Sequence, residues 1–295
     1  MAQYIDPHIH MISRTTDDYH RMARCGCVAV SEPAFWAGFD RGTVHGFEDY
    51  FRHLTQVEPK RAAQFGIQHY SWLCINAKEA ENVALSREVI QIIPRYLNQP
   101  NVLGIGEIGL NKNTPNECTV FLEHIDLAMR TNELVLVHTP HLQDKYQGTR
   151  MILDMLKGDA RVQPERICID HVEEHTIRLA KEAGFWVGMT LYPTTKCTPA
   201  RAVDMIECYG PERTLVNSAG DWGPSDPLAV PELILEMKRR GHAEDVIRQV
   251  VFENPQAFFS QCRRFHQQES DRPAIGITTR ASFAIKAQAS ERSYK

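Results

Sequence analysis

Imidazoles and carboxylates are the side chains that hold transition metals through nitrogen and oxygen, and this chain places six of them at or just after strand-like runs. The opening run ends Asp6-Pro7-His8-Ile9-His10, and the two-residue period of a strand puts His8 and His10 on one face. Glu107 closes Leu103-Gly104-Ile105-Gly106, His138 closes Leu134-Val135-Leu136-Val137, and His171 closes Ile167-Cys168-Ile169-Asp170. Asp221 follows in Asn217-Ser218-Ala219-Gly220-Asp221. Alone, each reads as a buried hydrogen-bonded histidine or a capping carboxylate. Together they indicate a metal centre, and six ligands suit two divalent ions. Mixed nitrogen and oxygen donors favour zinc or manganese, with iron, nickel or magnesium as further options, over calcium, which prefers oxygen alone.

Such residues meet only if the strands bring them to one place. Eight short apolar runs recur along the chain: Tyr4 to Ile9, Cys27 to Ser31, His69 to Ile75, Val102 to Glu107, Leu134 to His138, Arg166 to His171, Trp186 to Thr190 and Thr214 to Ser218. Amphipathic stretches lie between them, clearest at 78–97, 117–130, 149–156, 173–183, 199–208 and 230–240. Eight β-α pairs predict an α/β fold, a (β/α)8 TIM barrel over residues 1–266, with functional groups at the C-terminal strand ends. An open doubly wound sheet is the alternative, but no Gly-x-Gly-x-x-Gly follows the first strand. The aromatic connection 32–66 reads either as a pocket wall or lid, or as a barrel-packed helix at 47–54. The polar segment 267–295 lacks a sustained period and reads as an irregular C-terminal tail, disordered or an extended arm.

At 295 residues, 43% hydrophobic and 24% charged, the chain can bury one large core. Its net charge of −4 gives no overall pull toward nucleic acid or an anionic membrane, so a small-molecule substrate is expected. Eight scattered cysteines without a framework spacing suggest core packing in a reducing compartment. With no leader-like start and no apolar run near the ~20 residues of a membrane span, a cytoplasmic location is expected.

The His8-x-His10 pair, the Gly106-Glu107-Ile108-Gly109-Leu110 segment, His138, His171 and Asp221 resemble, in identity and order, the TatD-like metal-dependent hydrolases of the amidohydrolase superfamily. Glu253-Asn254-Pro255 with Phe258-Phe259 is similar to the close of such chains. The resemblance implies that His8, His10 and Asp221 hold one metal, that His138 and His171 hold the other, and that Glu107 bridges them. It further implies water activation, with Asp221 taking the proton. The chain departs from the TatD nuclease pattern after His138, where Thr139-Pro140-His141 replaces a Ser-Arg-like step, after Leu110, and around Asp221. Nucleic acid is therefore not the favoured substrate.

Substrate contacts are expected from rim residues: Glu32 and Trp36 after the second strand, Asn76 after the third, Thr190 and Tyr192 after the seventh, and Lys112 and His141 from loops. The remaining histidines, His69 and His124 among them, read as surface or packing groups. The expected function is metal-dependent hydrolysis of a small ester, amide, lactone or phosphoester. The alternatives are a TatD-type deoxyribonuclease or phosphodiesterase, a non-hydrolytic decarboxylase or isomerase, and a metal-bound scaffold without turnover.

Overall fold

The structure, a computed structural model, describes residues 2–140 and 144–266. Its eight strands are β1 (Tyr4–Asp6), β2 (Cys27–Pro33), β3 (Gln68–Leu73), β4 (Val102–Gly109), β5 (Leu134–His138), β6 (Ile167–Asp170), β7 (Trp186–Thr190) and β8 (Thr214–Asn217). Each pairs in parallel with the next in sequence order. Two backbone bonds of 2.8 Å bridge the ends of the first and last strands: Ala219 N–H donates to the His8 carbonyl, and His10 N–H to that of Gly220. The bridge lies beside the His-x-His pair. Helices cover the outside, so the strands are buried on both faces and read as nearly continuous apolar runs. This is the expected TIM barrel.

The strands agree with the sequence expectation to within a few residues, while the helices differ more. The stretch expected as one helix over 78–97 is a ten-residue helix, Val83–Ile92, flanked by short 3-10 turns. Asn82 Oδ1 accepts from Leu85 N–H at its start, and Pro94, lacking a donor, sits in the final turn. Thr114 caps Pro115–Thr131 as its hydroxyl suggested, accepting from Glu117 N–H at 3.2 Å. In the long connection, Val44–Arg52 is a helix that buries Phe47 and Phe51 against the barrel, while Trp36 reaches the neighbourhood of Trp222. The expected tail, 267–295, lies outside the described residues. Among the described residues, no helix is long and apolar enough to cross a membrane.

The segment 244–266 seals the bottom of the barrel. Asn254 Nδ2 donates to the carbonyls of Pro211 and Thr214, Gln261 Nε2 to that of Glu165, and Arg264 Nε to that of Val102, all at strand beginnings. Phe258 and Phe259 meet the fully buried Trp72 above them. The Asn-Pro and Phe-Phe signals thus serve the stability face, away from the metal-ligand candidates.

His124, on Pro115–Thr131, is fully buried, with Nδ1 bonded to the Val120 carbonyl and Nε2 accepting from Ile75 N–H. Burial pushes its pKa down to about 4. The unfolded chain takes up this proton near the ordinary 6.5, so below that pH it binds more protons than the fold does. Stability is lost as pH falls from 6.5 toward 4. Each pKa unit corresponds to about 1.4 kcal/mol, so the group costs up to about 3 kcal/mol. Urea unfolding at pH 7 and pH 4 should show that His124→Gln, which keeps an acceptor for Ile75, loses less stability over this interval than the native chain.

Candidate metal centre

The barrel mouth gathers five of the six expected ligands around Glu107. Its Oε2 lies 3.1 Å from His138 Nδ1, 3.2 Å from His171 Nε2 and 3.7 Å from His8 Nε2. Its Oε1 lies 4.0 Å from His10 Nε2. The Nε2 atoms of His8 and His10 face each other at 3.0 Å, and all five side chains are buried. His8, Glu107 and His171 each offer a ligand atom within 4.8 Å of the others.

Protonation decides whether this cluster suits a cation. His8 Nδ1 sits 2.6 Å from Asp170 Oδ2, an acceptor that fixes the proton there and leaves Nε2 with a bare lone pair. His171 Nδ1 sits 2.6 Å from Thr190 Oγ1, which itself donates to Asn217 Oδ1 at 2.8 Å, so the proton again points outward and Nε2 faces Glu107. Burial lowers the pKa of His10, His138 and His171, keeping the rings neutral. At His8 burial also opposes protonation, but Glu107 and Asp170 outweigh it and raise the pKa. Burial pulls Glu107 upward, yet the surrounding imidazoles hold its carboxyl well below the ordinary range. Converging lone pairs around a buried carboxylate are the donor set of a divalent metal site.

Asp170 escaped the sequence reading although it organises the site. Strand alternation would separate it from His171, but His171 adopts φ 61°, and both side chains join the mouth network. Asn217 Nδ2 donates to both Asp170 oxygens, at 3.0 and 3.2 Å. Gly188 makes room, since a Cβ there would stand 2.1 Å from Asp170 Oδ1. Asp170→Asn should weaken metal affinity about 10- to 100-fold, the usual cost of losing a ligand-orienting carboxylate. Titration against a chelator of known affinity would measure this, and an unchanged affinity would deny Asp170 its orienting role.

The other expected residues separate by strand parity. Register pairs Val30 with His69, and Glu32 lies two residues further, so Glu32 and His69 share the outer, helix-covered face. Fully buried, Glu32 accepts from His69 Nε2 at 2.8 Å and from Ile12 N–H at 2.8 Å, beside Glu58. It therefore does not face the mouth. Thr190 is buried and spent on His171 and Asn217, and Asn76 Nδ2 donates to Glu107 Oε1 at 3.3 Å. Both hold candidate ligands in place. Tyr192 donates its hydroxyl to Asp221 Oδ1 at 3.1 Å. Asp221 stands at the rim, half-buried, with the same oxygen accepting from Gly223 N–H at 2.7 Å. Trp36 lies on the rim with its ring 6.3 Å from that of Trp222. Lys112 is exposed and its backbone amide serves Glu117, while His141 lies outside the described residues.

Two more residues were missed. The Phe35 ring stacks on His10 at 3.8 Å between centroids. Lys196 lies in the turn after β7, its ammonium 5.1 Å from the Tyr192 ring and within the fields of Glu107, Asp170 and Asp221. Burial lowers its pKa. A loop lysine carries no periodic signal by which sequence could have placed it.

Known proteins resemble the chain over this whole frame. The family model described as TatD related DNase matches residues 5–260. An uncharacterized metal-dependent hydrolase of Methanocaldococcus jannaschii is 27% identical over 255 residues, covering 86% of this chain and 99% of the relative. The TatD-like protein of Archaeoglobus fulgidus superposes with a TM-score of 0.71 at 23% identity, over 87% of this chain and 100% of its own. The phosphotriesterase homology protein of Escherichia coli, solved with phosphate in its active site, gives 0.63 at 16% identity, over 88% and 99% of the two chains.

Proposed function

The chain belongs to the TatD related DNase family and is a metal-dependent hydrolase, and from that premise we propose a dinuclear centre acting on a small ester, amide, lactone or phosphoester. The observation that carries the reading is the convergence of His8, His10, His138 and His171 on Glu107, with outward protons held by Asp170 and Thr190. His8, His10 and Asp221 would hold one ion and His138 and His171 the other, with Glu107 between them. Zinc or manganese fits this donor set best. Bound there, the ions supply Lewis acidity toward water and toward the scissile oxygen.

The protein's own groups supply the remainder. Asp221 has one oxygen anchored by Tyr192 and Gly223, while its Oδ2 has no hydrogen bond among the described residues. That oxygen takes the proton of the attacking water and returns it to the leaving group. Asp170, Thr190 and Asn76 hold the ligands in register, which limits reorganisation during the reaction.

A TatD-type deoxyribonuclease is the second reading, favoured by the family's description. Several cations near the strand ends are already neutralised: Arg41 by Glu79, Lys145 by Glu173, Arg201 by Glu174 and Arg14 by Asp18. A polyanion needs several unpaired cations along its path, so the small substrate has the stronger support. Metal analysis, followed by side-by-side assays of aryl phosphates, esters, amides, lactones and single-stranded oligonucleotides, tests both. Two ions per chain with turnover of small substrates is the expected result. Turnover confined to oligonucleotides would replace the first reading with the second, and protein without metal would remove both.

A further inference from the structure

From the arrangement of rings and ammonium groups around the mouth, we infer that this site selects a small planar anion, an aromatic ring bearing a phosphate or carboxylate, with Lys196 on the anion and Trp36 and Trp222 on the ring. The inference rests on the hydrolase reading for its location but not for its test.

An arc of side chains runs around the centre. Lys196 lies against Tyr192, Tyr192 bonds Asp221, Trp222 follows Asp221 in the chain, and Trp36 leans on Trp222 at 57° between planes. Lys78 Nζ ends the arc, 4.7 Å from the centroid of Trp36. The lysine at the inner end is held in place by its backbone: its N–H donates to the Tyr192 carbonyl at 2.8 Å, and its carbonyl accepts from Arg201 at 2.6 Å. Among the described residues no carboxylate lies within 4 Å of its ammonium, unlike the paired cations named above. A partly desolvated ammonium without a carboxylate partner among the described residues is suited to a ligand's negative charge.

The outer end is apolar and wet. Trp222 is 58% exposed and lies against Gly38, where a Cβ would come within 3.9 Å of its ring, and Phe39, the next residue in the chain, is 66% exposed. Large rings left in water at the entrance to a polar site mark a surface that a ligand covers. Two indoles at an angle offer a stacking face and an edge to a planar group. Trp36 follows Phe35, whose ring stacks on His10, and Trp222 follows Asp221, so the indoles and Lys196 border the same centre.

Calorimetric binding to the metal-loaded full-length chain tests this with three probes that carry no hydrolysable bond: 1-naphthylmethylphosphonate, 1-naphthalenemethanol and inorganic phosphate. Lys196→Gln should weaken 1-naphthylmethylphosphonate about tenfold or more, as expected for a lost charge-assisted contact, and leave 1-naphthalenemethanol unchanged. Lys196→Arg should restore most of the affinity. Trp222→Ala, at an exposed position, should weaken both naphthyl compounds roughly five- to tenfold, in line with loss of one stacking face, and spare inorganic phosphate. Native affinity in Lys196→Gln or Trp222→Ala would overturn the assignment, as would a single-stranded oligonucleotide binding far more tightly than the naphthyl phosphonate. Probe binding with these patterns but no turnover of any substrate would uphold this site and sink the hydrolase reading instead.

Discussion

Alanine at both His8 and His10 should abolish turnover and strip the protein of metal, and the same variant should lose the stabilisation expected of metal in the native chain. The two Nε2 atoms face each other at 3.0 Å beside Glu107, so removing both rings deletes the nitrogen donors on one side of the centre. It also takes the His8 Nδ1–H from Asp170, which keeps Asn217 and the His171 N–H, and leaves Glu107 with His138, His171 and Asn76, so the fold itself should survive the double substitution. An ion that binds only the folded state stabilises it by about 4 kcal/mol at a thousandfold excess over its dissociation constant. Chelation should therefore lower the melting temperature of the native protein and leave that of His8→Ala/His10→Ala unchanged. Retained metal with lost activity would place these rings on the substrate and not on the ion.

The barrel was legible because its physics is repetitive. A strand covered on both faces must be apolar throughout, so Leu134-Val135-Leu136-Val137 announces itself, and the first polar residue after it, His138, marks the mouth. The same rule singled out Glu107 and His171, whose side chains meet at the mouth. It failed where alternation meets local geometry: the left-handed backbone at His171 brings Asp170 and His171 into one network, and no propensity reports that turn. It failed again at Glu32, which the rule sends to the rim but which parity places on the outer face with His69. Helix ends were less legible than strands because they depend on single caps such as Asn82. Lys196 lies in a loop, where position is set by its bonds to Tyr192 and Arg201, partners that only folding brings into place.

Asp221→Asn should reduce kcat by about 10²- to 10⁴-fold, the range for loss of a general base. The two carboxylate oxygens of Asp221 have different surroundings. Oδ1 accepts from the Tyr192 hydroxyl and Gly223 N–H, with the Ser225 hydroxyl further out at 3.4 Å, and Arg14 grips the Asp221 carbonyl at 2.9 Å. An amide oxygen can keep those bonds, so the loop should retain its place. Oδ2 has no hydrogen bond among the described residues, and there the substitution puts an NH2 that neither accepts a proton nor ligates a cation. Tyr192→Phe serves as the contrast: it keeps both oxygens and removes one anchor, so its kcat should fall by less than about tenfold, the scale of one ordinary hydrogen bond. Single-turnover rates of the two variants under saturating metal separate the roles. If Asp221→Asn retained more than a tenth of native kcat, proton transfer would belong to another group. Glu107 would be a poor replacement, since its carboxylate is held well below the ordinary range by the surrounding imidazoles and is too weak a base to take over.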